Sequence, residues 1–173
     1  VKEKPMFKRL MLRFRDMKTI SKLISGADEQ ANISGEEKPG AEHFVLSALS
    51  LEDGSAKRVF DKIGADANKF RDAIDQQYSD ALSSIGIFRE ATETTPEPVE
   101  SNKRVHNSQP SGQELMKSLY AIKQRDKNRP LLGAHVISVA AEMEHGVVAR
   151  AFKVMDIDRG QLAKLAKKEW ESL

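Results

Sequence analysis

Cysteine is absent from the chain, which excludes disulfides, thiol catalysis and cysteine-ligated metals. A reducing cytoplasm permits that composition, and a cytoplasmic location is the expectation. Long apolar runs are also missing. None approaches a membrane span, and Lys8, Arg9, Arg13 and Arg15 interrupt any secretory h-region. Strand signals are nearly absent, because β-branched residues never alternate with polar ones over a useful length. There is no Gly-x-x-x-x-Gly-Lys-Ser/Thr loop to cradle nucleotide phosphates, no Gly-x-Ser-x-Gly elbow and no His-Glu-x-x-His pair. His106 and His145 have no partner at metal-ligand spacing. An enzyme is therefore not expected, and no catalytic residue, cofactor or metal is assigned.

What remains is helical. Charged residues make up 31% and apolar ones 39% of 173 residues, enough for one domain with a substantial core or two small lobes sharing one. Phe7, Leu10, Phe14, Met17, Ile20 and Ile24 recur every three or four positions, predicting one apolar stripe from about Met6 to Gln30. Gly35, Pro39 and Gly40 stop that helix. Ala41 to Leu51 is apolar on nearly all sides and predicts a buried central helix. A short helix from Ser55 to Ile63 follows the break at Asp53-Gly54, and Asp66 caps a longer one to about Ser84. Thr92 to Pro98 is acidic and proline-broken, and marks residues 86–110 as a linker. Ser111 and Glu114 form a capping-box pattern before a helix that Pro130 and Gly133 end. Ala134 to Glu144 is a second buried segment and Gly146 to Met155 a second short helix. Asp158 with Gln161 caps the last one.

The chain repeats itself. A constant shift of 92 superposes Gly40-Ala41-Glu42-His43 on the segment ending Gly133-Ala134-His135, Gly54 on Gly146, Arg58 on Arg150, Phe60 on Phe152 and Asp66 on Asp158. A repeated supersecondary unit buries against its copy the apolar face that it cannot bury alone. Two copies are too few for a solenoid. The expected fold is all-α: two pseudo-symmetric four-helix repeats packed into one globular domain, about eight helices in all. The expected divisions are 1–5 as a tag remnant or extension, 6–85 as the first repeat, 86–110 as the linker and 111–173 as the second repeat.

Net charge is +2, but residues 1–24 alone hold eight Lys/Arg against Glu3 and Asp16. A basic first helix on a slightly acidic body suits nucleic acid or an anionic membrane, and equally a solvated helix face.

The repeated residues resemble the Clp amino-terminal domain, the double-repeat module of ClpA- and ClpC-type unfoldases, here without the ATPase. The first copy carries Gly40, Glu42, His43, Leu46, Leu49, Gly54, Ala56, Arg58 and Ile63-Gly64-Ala65-Asp66. The second carries Gly133, His135, Gly146, Val147, Ala149, Arg150 and Ile157-Asp158. Met6-Phe7-Lys8-Arg9-Leu10 is similar to the Met-Phe-x-Arg-Phe opening of ClpC-type proteins, which implies that Met6 is the natural start. The chain is then free-standing or a piece of a longer Clp ATPase.

The resemblance implies a non-catalytic module of the Clp protease-chaperone system, with a Clp ATPase, adaptor, client protein or peptide as partner at the cleft between the repeats. The alternative is nucleic-acid or anionic-membrane binding through the basic first helix. Glu42, Phe7, Arg58 and Arg150 are the candidate contact residues. Glu42 is also explained as an N-terminal helix carboxylate, Phe7 as a core position, and the two arginines as partners of carboxylates or helix ends across the repeat. In family members that read phosphorylated arginine, glutamates and threonines of the motif form the pockets. Here Ala41, Ala134 and Met11 replace the threonines and only Glu42 matches. His43 and His135 are read as rings that pack and hydrogen-bond the neighbouring turn. Trp170 either docks on the bundle or stands as an exposed anchor.

Overall fold

A computed structural model describes residues 5–86 and 108–172, and every described element is helical. Val1 to Lys4, His106, the Thr92–Pro98 run and most of the expected linker lie outside those residues. The first repeat comprises α1 (Pro5–Ile33), α2 (Ala41–Leu49), α3 (Ser55–Lys62) and α4 (Ala67–Ser84). The second comprises α5 (Pro110–Arg125), α6 (Gly133–Glu142), α7 (Val147–Val154) and α8 (Arg159–Glu171).

The two apolar segments, α2 and α6, pack on each other at the centre and every residue of α2 is buried. Around them α1 lies on α2 and α8 on α6, while α5 touches both. The shorter helices cross between repeats: α3 packs on α8, and its counterpart α7 packs on α4. Phe60 and Phe152, equivalent under the shift of 92, meet with ring centroids 6.4 Å apart, and Phe70 joins both. This aromatic cluster, edge-on at Phe60 and tilted between Phe70 and Phe152, ties the two repeats at the core.

Capping also crosses the repeats. The orphan amides at the start of α6 are met by the first repeat: Gly133 N–H donates to Asp53 Oδ2 (3.1 Å) and Ala134 N–H to Ser55 Oγ (2.8 Å). Reciprocally, Ala41 N–H at the start of α2 donates to Ser111 Oγ of the second (3.2 Å). The Ser111–Glu114 capping box is therefore not formed. The helix begins earlier, with Gln109 as N-cap and Pro110 in the first turn, and the Ser111 hydroxyl is turned to α2. The same helix ends at Arg125, well before Pro130, with Asp126 as its C-cap. Asp66 and Asp158 behave as read, accepting from the amides of Lys69 (2.9 Å) and Gln161 (3.0 Å).

The α1 stripe needs correction. Leu23, Ile24, Ala27 and Ala31 are buried and Ile20 is partly so, but Phe7, Leu10, Phe14 and Met17 are exposed. Asp16 is where α1 meets the second repeat. Its carboxylate accepts from Leu131 N–H (2.7 Å) and pairs with Lys123 of α5 (3.0 Å). Preceding that anchor, the helix runs on past the body.

Candidate functional site

The four residues singled out in the sequence are not brought together. Glu42 is 1% exposed, on the first turn of α2, and its Oε1 accepts from the Tyr78 hydroxyl of α4 at 2.5 Å. Burial and the neighbouring carboxylate push the Tyr78 phenol up, so it stays a donor. Arg58 on α3 gives Nε to Glu169 Oε1 of α8 at 2.5 Å and Nη1 to the Asp53 carbonyl. Lys62 takes the other Glu169 oxygen (2.5 Å). These two hydrogen bonds, Lys62 first, hold the Glu169 carboxyl below its ordinary value. Arg150 on α7 reaches Gln77 Oε1 of α4 at 3.1 Å. Positions 58 and 150, and 77 and 169, are equivalent under the shift, so both arginines make the same latch across the repeats, one to a carboxylate and one to an amide. Arg150 also borders a polar hollow of about 460 Å³, where Lys153 and Arg159 alternate with Glu144, Asp156 and Asp158. Charges of both signs there define no single ligand.

The histidines are structural, as the repetition indicates. Each stands in the first turn of its buried helix and accepts a backbone amide at Nδ1: Gly40 N–H to His43 (2.9 Å) and Leu132 N–H to His135 (3.1 Å). Accepting at Nδ1 places the proton of the neutral His43 ring on Nε2, whereas His135 Nδ1 also lies 3.3 Å from the Leu132 carbonyl. Burial lowers both, His135 to about 4, and for His43 Glu42 and Asp75 act against that lowering. Trp170 docks: its ring stacks on His135, centroids 4.2 Å apart and 6° from parallel.

The surface with the character of a binding site was not named in advance. An apolar groove of about 620 Å³ runs along α5 beside α1, lined by Ile20, Met116, Leu119 and Leu131 with the exposed Tyr120 at its rim. Gln113, Glu114, Lys117 and Lys123 supply its polar lining. Tyr120 is 65% exposed and Leu119 buried, so the groove grades from core to solvent. α1 and α5 open the two repeats, and the Asp16–Lys123 pair fixes them side by side. The groove thus lies at the junction of the two copies, where two imperfectly matched faces leave space. Met116 and Tyr120, four residues apart on one helix, were the available signal. It was lost because such a spacing normally means core. Phe7, on the projecting part of α1, does not line the groove.

Comparison with known families gives one match. A model of the Clp repeat (R) N-terminal domain covers residues 18–105, half of the chain. No curated protein matches.

Proposed function

This chain belongs to the Clp repeat N-terminal domain family, and from that premise we propose that it is a binding module of the Clp protease-chaperone system that takes apolar segments of a client or adaptor protein in the α1–α5 groove. The observation that carries this reading is the groove itself, an apolar channel at the repeat junction with Tyr120 standing half out of it. A large aromatic over an apolar floor gives contact area at low conformational cost, and Glu114, Lys117 and Lys123 beside it orient a polypeptide. The family is non-catalytic, and recognition without chemistry fits that. A cytoplasmic setting goes with the proposal. Glu42, Arg58 and Arg150 serve the frame in this reading, since each is engaged within the fold.

The test is a binding titration with an unfolded client protein and a co-purification from cell extract. The parent chain binds in the micromolar range and retains a Clp component. Replacing Met116 by Gln and Tyr120 by Glu together weakens client binding about tenfold, the scale of losing an aromatic anchor. Thermal unfolding of the double variant stays close to that of the parent. Undiminished binding by that variant removes the groove from the proposal.

A further inference from the structure

Every residue from Met6 to Met11 is exposed, so no described part of the molecule packs on any side of α1 there. From this projecting segment through Met17 the side chains are nonetheless sorted. At 100° per residue, Met6, Phe7, Leu10, Met11, Phe14 and Met17 fall within an arc of about 140°. All six are roughly half exposed or more, Met6 at 81%. The arc is turned by roughly 100° from the face that Leu23, Ile24, Ala27 and Ala31 bury further along the same helix. It is therefore not a frayed continuation of the core stripe. It is a second apolar face with its own direction.

The charges are sorted as well. Lys8 and Arg15 flank one edge of the arc, Arg9 and Arg13 flank the other, and no acidic residue occurs between Met6 and Arg15. None of these four makes an ion pair among the described residues. An apolar face bordered on both edges by cations is the pattern of a helix lying in a lipid–water interface, with Lys and Arg at the headgroups and Phe, Met and Leu below them. No helix among the described residues is long and apolar enough to cross a membrane, so the geometry is one of lying on rather than spanning.

We propose that the N-terminal half of α1 docks on an anionic lipid surface, its apolar arc entering the headgroup–acyl boundary and its four flanking cations meeting lipid phosphates. Charge complementarity selects this occupant. A second copy of the chain would set cationic edges against cationic edges, and a protein groove would be matched by a pattern of both signs. A set of one sign fits a surface of uniform opposite sign.

The test uses the whole chain in vesicle flotation, with phosphatidylcholine alone and with about a third of the lipid replaced by phosphatidylglycerol. The chain floats with the anionic vesicles, stays behind with the zwitterionic ones, and is released severalfold by salt. Replacing Phe7 and Phe14 by Gln costs about tenfold in vesicle affinity, as does replacing Arg9 and Arg13 by Gln, while thermal unfolding is unchanged in both. The groove variant at Met116 and Tyr120 floats as the parent does, which separates this proposal from the one above. Any of these results overturns it: no flotation at low salt, flotation that survives loss of both phenylalanines, or a dimer in solution that dissolves when they are replaced. Equal, phenylalanine-independent binding of a DNA duplex would likewise show that charge alone is being read.

Discussion

Positions 42 and 134 are equivalent across the shift of 92, as are 78 and 170, and the two copies fill them in different ways. The first sets Glu42 under the Tyr78 hydroxyl; the second has Ala134, and Trp170 lies flat on His135. The ring in the second copy thus sits between a helix end and an indole with no counterpart of Glu42, and burial lowers it to about 4 against the pull of Asp126 and Asp16. In the unfolded chain it titrates near 6.5. Between those values the unfolded state binds more protons, so stability falls as pH falls through the window, by about 3 kcal/mol at pH 4. His43 is lowered too and adds in the same direction. Urea unfolding at pH 7 and pH 4.5 should show the drop, and His135→Gln should flatten it. A stability that ignores pH over that range would contradict the buried neutral ring. The histidine role was legible in the sequence, because a symmetric copy argues for packing. The burial of Glu42 was not, since its partner lies on another helix, 36 residues away.

At the scale of helices, apolar spacing located all eight elements to within a few residues, and aspartate caps fixed two of their starts. Spacing did not reveal which helix would furnish an end with its partners, so Ser111 was read as a cap for its own helix when it caps α2. Nor could it separate an exposed apolar face from a buried one along α1. Helix ends show how loosely residue type binds to geometry. After α3 the chain closes with Ala65 N–H on the Phe60 carbonyl and Gly64 at φ 72°. After α7 the same closure joins Ile157 to Phe152, with Asp156 taking φ 55°. Gly133 shows the opposite, a position where residue size is decisive. A Cβ there would stand 2.9 Å from the Ala48 carbonyl and 3.0 Å from the Ala56 Cβ, although Ala41 occupies the equivalent place in the first copy. Gly133→Ala should destabilise by about 1–3 kcal/mol, the usual cost of overpacking, as read by chemical denaturation. An unchanged midpoint would mean that α6 can retreat from α2 and α3.

For the molecule as a whole, the duplication was plain from the sequence and the interlocking was not. A shift of 92 relates residues without saying which helix of one copy sits on which helix of the other. The structure pairs third with fourth in both directions and secures each pair by an arginine, yet one latch ends on Glu169 and the other on Gln77. Gln77→Glu would make the latches alike. Because Arg150 is exposed, the gain should be small, about 0.5 kcal/mol, or a rise in Tm of about 1–2 °C at this size. High salt should erase it, and a fall in Tm would show that the amide is required.

That crossed pairing governs how the protein comes apart. Opening either copy strips the other of its latch, of part of the three-ring aromatic cluster and of the groups that cap its central helix. Amide hydrogens in α2 and α6 should then exchange with solvent only when the entire chain unfolds. Duplication here has produced one cooperative object, in which inherited damage to either half is shared by both while their surfaces remain free to diverge.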